Sequence, residues 1–290
     1  MRATLGVFLC VLSASVVHLF FSSPAYADIV LTDARGDTRN TAPGGDFYRQ
    51  DAFDITELRI AEKGADVLVT ATFAARVPLR HNVRLSRETT ATLFPMNIEI
   101  YIDQKPLIGF TRTLPGRRVE IARESAWDVA LVLTPQPREF AGELRRIDAE
   151  LADRTHFAAK PRVRGRTVSG RFPRARIGEL TPHMGFVVLV TPAAFRSTFQ
   201  LFGEHLLFIA DVRARATSCS LESPDSTGCA FGGCKPCGDH PRVIDAIVAK
   251  DANELELFGA YSRGRFVNVP ARVPKPPAPK LRSQQPPIEL

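Results

Sequence analysis

Four cysteines, Cys219, Cys229, Cys234 and Cys237, stand close together late in the chain. An even number in an exported protein reads as two disulfides, and three pairings are open. Each bridge closes a short loop, with a contribution of about 2–3 kcal/mol. The same residues admit metal chemistry. Cys234-Lys-Pro-Cys237 has the spacing of a zinc knuckle, and Cys229, Cys234 and Cys237 have the three-ligand spacing of a plant-type iron–sulfur site. Cys237 is followed by Gly238, which does not support covalent c-type haem attachment. A second group is made of oxygen ligands. Asp33, Asp37 and Asp46 lie in a stretch rich in Asp, Gly and Asn, and carboxylates on a bending backbone suit Ca²⁺. The spacing is not that of the EF-hand, and Asx turns account for the same residues without an ion. Catalytic patterns are missing: there is no Gly-x-Ser-x-Gly elbow, no His-Glu-x-x-His helix, and no spacing that singles out a carboxylate pair. The reading is non-catalytic.

The elements that must position these groups read as short strands. The clearest is 97–103, where Ile98, Ile100 and Ile102 alternate with Asn97, Glu99, Tyr101 and Asp103. That is the pattern of a half-buried antiparallel strand. Residues 53–61 and 66–75 form a hairpin about Lys63-Gly64-Ala65, and 76–92, with Arg80, His81, Arg84 and Arg87, reads as a polar loop. Strands are also expected at 29–32, 119–122, 127–134, 167–172, 175–177, 185–191, 205–214 and 266–269, and a short helix or strand at 243–248. Trp127, the lone tryptophan, opens an apolar strand and is expected in the core. Between 138 and 154 the period changes. Phe140, Leu144, Ile147 and Leu151 mark one amphipathic helix over a sheet edge or connection. The sum is an all-β protein, an antiparallel β-sandwich with one inserted helix.

The ends of the chain set the compartment. Arg2, an apolar run over 5–21 and Ala25-Tyr26-Ala27 make a secretory signal peptide over 1–27, cleaved after Ala27. Cys10 lies too early for a lipoprotein cysteine. Residues 28–270 then form one sandwich domain, and the Pro-rich stretch 271–290 is a disordered tail. The mature chain is expected to be periplasmic or secreted and not membrane-spanning. The net charge of +7 reads first as solubility; as a partner signal it suits an anionic envelope polymer or head group better than nucleic acid, given export.

Four segments together resemble the C-terminal domain of glucodextranase, a β-sandwich of the wider immunoglobulin-like or DOMON-like group. They are Asp33-x-x-Gly36-Asp37 with Gly45, Tyr48 and Phe53-Asp54-Ile55-Thr56; Ile98 to Asp103; Leu114-Pro115-Gly116-Arg117-Arg118-Val119-Glu120 leading to Ala126-Trp127-Asp128; and Phe231-Gly232-Gly233 with Asp239, Pro241 and Val243-Ile244-Asp245. Val269-Pro270 also fits. The helix at 138–154 and the cysteines near 231 depart from that pattern. The resemblance implies a binding module for carbohydrate or a cell-envelope polymer, with Tyr48, Tyr101 and Trp127 as candidate aromatic contacts and Asp33, Asp37 and Asp46 as polar ones. Related sandwiches bind haem, which gives the alternative: a periplasmic haem- or metal-binding electron-transfer partner. Its axial ligands would come from Met96, His183 or Met184.

Overall fold

The structure is a computed structural model. It describes residues 28–38, 47, 49–84, 90–105, 107–117, 119–181, 183–193, 195–201, 204–209, 243–252, 257–258 and 267–274. The signal-peptide reading, Asp46, Tyr48 and all four clustered cysteines lie outside these residues.

In chain order, β1 (Ile29–Thr32) is followed by β2 (Ile55–Lys63) and β3 (Asp66–Phe73). The β2–β3 hairpin turns at Gly64, whose φ of 67° is in the left-handed region that glycine adopts without a Cβ clash. Next come β4 (Arg80–Arg84), β5 (Thr90–Leu93), β6 (Met96–Asp103), β7 (Val119–Ile121) and β8 (Val129–Leu133). Helices α1 (Pro137–Ile147) and α2 (Ala149–Arg154) lead to β9 (Thr155–Phe157), β10 (Arg162–Arg164) and β11 (Thr167–Pro173). The short α3 (Arg174–Ile177) precedes β12 (Gly185–Pro192), β13 (Phe195–Leu201), β14 (Glu204–Ile209), β15 (Asp245–Ile247) and β16 (Val267–Val269).

Two five-stranded sheets make the sandwich, in the orders β1-β2-β3-β11-β10 and β15-β12-β6-β8-β9. Their facing sides supply one core. Leu58, Ile60, Val67, Val69, Phe73, Val168 and Phe172 come from the first sheet, and Ile98, Ile100, Ile102, Leu131, Leu133, Val188 and Val190 from the second. The sheets approach closely at Gly170: a Cβ there would stand 2.4 Å from Leu133 Cδ2 and 2.5 Å from the Ala158 Cβ, well inside contact distance.

A second core lies on the far side of the second sheet. Tyr101, Ala130, Val132, Val187 and Leu189 pack there against Phe140 and Leu144 of α1, Leu151 of α2 and Val119, Ile121, Val267 and Val269 of β7 and β16. Residues 97–103 are therefore not half-buried. Every residue of β6 is buried, because it is the central strand of its sheet and both faces are covered. The polar side of the alternation faces a second interior rather than water.

Other expectations are also corrected. The stretch 76–92 holds the β4–β5 hairpin. Residues 174–177 are helical rather than extended. The segment 138–154 is two helices, because Asp148 leaves helical geometry at φ −152°, ψ 96° and its carboxylate accepts from Leu151 N–H to start α2. With β8, the helices form a crossover that makes β9 parallel to β8; β16 is parallel to β7 as well. Residues just past 270 are bonded to the sandwich: Arg272 and Phe186 exchange backbone hydrogen bonds of 2.8 and 2.9 Å. No helix among the described residues is long and apolar enough to cross a membrane.

Candidate functional site

Of the expected aromatic contacts, the two that the structure describes are not surface groups. Trp127 and Tyr101 are buried. Their rings meet edge to face at 5.2 Å, Phe110 covers Trp127 at 5.3 Å, and Trp127 Nε1–H donates to the Arg112 carbonyl at 3.0 Å. Neither ring offers a face to a sugar, because each completes the second core. The expected haem ligands are not brought together. Met96 begins β6 and Met184 immediately precedes β12; the register pairs Met96 with Pro192 and Asp103 with Gly185. The two methionines thus sit at opposite ends of a strand pair, about 25 Å apart at the rise of an extended chain. Both sulfurs are in the core, and His183 is exposed at a turn.

Two of the expected carboxylates are brought together. Asp33 and Asp37 leave β1 on a loop that is pinned at several points. Asp33 N–H donates to the Thr56 carbonyl at 3.0 Å, and the Arg35 guanidinium donates to the Ala74 carbonyl at 2.9 Å. Gln50 Nε2–H donates to both oxygens of Thr38. Gly36, at φ 87°, makes the left-handed turn between the two aspartates. The third member of the group is Asp245, at the start of β15. One carboxylate oxygen from each of Asp33, Asp37 and Asp245 lies within 4.8 Å of the others. Asp245 Oδ2 also accepts from Ile55 N–H at 2.6 Å.

Asp54 lies just behind this group. It is 2 % exposed. Its Oδ2 accepts from Gly36 N–H at 2.7 Å, and its Oδ1 has no hydrogen-bond partner among the described residues. Burial pushes the Asp54 carboxyl up, the Gly36 N–H opposes that, and the neighbouring Asp37 pushes it up further. Asp37 is likewise raised by burial. Spacing singles out neither Asp245 nor Asp54 for chemistry. Their signal is an aspartate set inside an apolar run, Phe53-Asp54-Ile55 and Ile244-Asp245-Ala246, since a carboxylate in such a place is buried and needs a partner.

A different surface lies on the outer face of the first sheet, at its β10 edge. Arg162 and Arg164 alternate on β10 and pair across to Ser169 and Thr167 of β11. With Lys160, Arg171, Leu68, Ala159, Ser169 and Gly170 they line an open cavity of about 420 Å³. The four cations are exposed. Arg171 faces Asp66 at 3.6 Å, and Lys160, Arg162 and Arg164 have no ion pair among the described residues. Charged edge strands also guard against strand-to-strand aggregation, but that role does not require the cations to share a cavity.

The fold defines a class: a β-sandwich with a helical crossover. The chain matches the family model described as the C-terminal binding module, SLH-like, of glucodextranase, over residues 31–269. That covers most of the chain, and the protein belongs to this family. A comparison with curated proteins gave no match.

Proposed function

We propose that the protein is an exported, non-catalytic module that binds a carbohydrate or cell-envelope polymer through its anionic groups. The observation that carries this reading is the set of four cations, Lys160, Arg162, Arg164 and Arg171, around one cavity. Guanidinium groups bind carboxylate and phosphate in a bidentate manner, which a lysine cannot do. The net charge of +7 adds long-range attraction to an acidic polymer. The leader pattern over 1–27 supports export, and the family supports the binding role.

The test is co-sedimentation or calorimetry with purified anionic cell-wall polysaccharide, and with a neutral glucan beside it. The anionic polymer is expected to bind and to release as salt rises, since exposed charges are screened. The double variant Arg162→Ser/Arg164→Ser is expected to weaken binding about tenfold or more, as two charge-assisted hydrogen bonds are removed. Failure of every polymer to bind, or equal binding by the double variant, overturns the proposal.

A further inference from the structure

We infer that Asp33, Asp37 and Asp245 hold one hard divalent cation of calcium size, next to the buried carboxyl of Asp54. The donor set is made of carboxylate oxygens, the choice of Ca²⁺ and Mg²⁺ rather than of zinc, which favours nitrogen and sulfur. Oxygens within 4.8 Å of one another can share one ion at a Ca–O bond of about 2.3–2.6 Å. Magnesium gives up its waters reluctantly and is seldom held by protein carboxylates alone, so the choice falls on calcium.

The acidic cluster is not the whole argument. Asp54 is an independent observation: a carboxyl 2 % exposed, held toward the loop by Gly36 N–H, with an oxygen that no described residue satisfies. A buried carboxylate in that position is expensive unless positive charge compensates it. Arg35, a cation on this loop, directs its guanidinium to the Ala74 carbonyl at 2.9 Å. A divalent cation held by the three aspartates supplies that positive charge. It would join three segments far apart in sequence: the loop after β1, the start of β2, and β15 in the other sheet.

The experiment uses the full purified chain, stripped with chelator and titrated with CaCl₂, MgCl₂ or ZnCl₂ by calorimetry, with thermal melting in parallel. One calcium per chain is expected to bind and to raise the melting temperature, with magnesium weaker. Asp37→Asn, at a half-exposed loop position, removes the charge of one ligand without touching the core. It is expected to weaken calcium at least about tenfold, as loss of one charged ligand does, and to raise the melting temperature of the chelated protein by removing repulsion. The Arg162→Ser/Arg164→Ser variant is expected to bind calcium like the parent, so failure here and failure of polymer binding remain distinguishable. The assignment is overturned if millimolar calcium gives neither heat nor a melting shift. It is also overturned if zinc binds and calcium does not, or if Asp37→Asn binds calcium as the parent does.

Discussion

Arg117 and Glu99 show what a single residue carries in this protein. Both are buried, at 1 % and 0 % exposure. Arg117 Nε–H donates to Glu99 Oε1 at 2.7 Å, and its NH2 group bonds the same oxygen. Thr191 donates to that oxygen too, at 3.0 Å, and Tyr101 Oη–H to Oε2 at 2.7 Å. The Arg117 NH1 group reaches the Pro115 carbonyl at 2.9 Å, and the guanidinium stacks over Phe140 at 5.5 Å. Leu114 N–H closes the network on the Tyr101 oxygen, whose proton is held well above its usual range by burial and by Glu99. A buried ion pair gains little over an apolar pair of the same shape, but losing one partner strands the other charge. Arg117→Met is therefore expected to cost about 3–5 kcal/mol in urea unfolding, and Glu99→Leu on that background should recover part of it. Equal costs for the single and double variants would show that the pair contributes net stability of its own. The sequence alternation over 97–103 told the two faces of β6 apart. It did not reveal that the polar face was roofed, because the roof comes from Arg117, Phe140 and the helices, which lie later in the chain.

At the scale of elements, strands were legible wherever two-residue periodicity met a turn residue. The β2–β3 hairpin about Gly64 is such a case, and β12 is marked by its unbroken apolar run. Short pieces without periodicity were not. β4 and β5 hide among polar residues, and 174–177 follows a proline that permits a helix as readily as a strand. The helical segment was found, but its break was missed, because apolar spacing runs through Asp148 as if it were an ordinary helical residue. Asp148 is in fact the cap of α2 and also pairs with Arg112 at 2.8 Å. Asp148→Ala is expected to cost about 1 kcal/mol in thermal or chemical unfolding. Asp148→Asn keeps the capping oxygen and loses the ion pair, so it should cost clearly less. If the two variants are equally destabilised, the ion pair and not the cap sets the boundary between α1 and α2. The carboxylate site was legible by half for a related reason. Asp33 and Asp37 share a short loop, whereas Asp245 joins them through the pairing of β15 with β12 and its contact with Ile55 N–H across the sandwich.

For the whole molecule, the raised carboxyls set a pH dependence, and the proposed cation should remove the part of it that comes from Asp37. Asp37, Asp54 and Asp103 all sit above the ordinary value of 3.8, each chiefly because of burial, with Asp37 adding to Asp54 and Asp128 to Asp103. A group that binds its proton more tightly in the folded state stabilises the fold at low pH. That contribution is full below 3.8 and is lost as pH rises through the elevated folded values. His156 has the opposite sign: burial and Arg176 hold it below 6.5, so its contribution is present above that value and falls away on acidification. Comparing the parent with Asp37→Asn cancels His156, which is common to both. In chelator, the parent is expected to lose stability relative to the variant as pH is raised from about 4 to 7, read as a widening gap in melting temperature. With saturating calcium the order should reverse at neutral pH, since the ion neutralises in the parent the charge that the variant has already given up. A gap that stays constant with pH in chelator would mean that Asp37 is ionised alike in folded and unfolded chains. The loop after β1 would then be held by its hydrogen bonds to Thr56, Asp54 and Ala74 rather than by the state of its carboxylates.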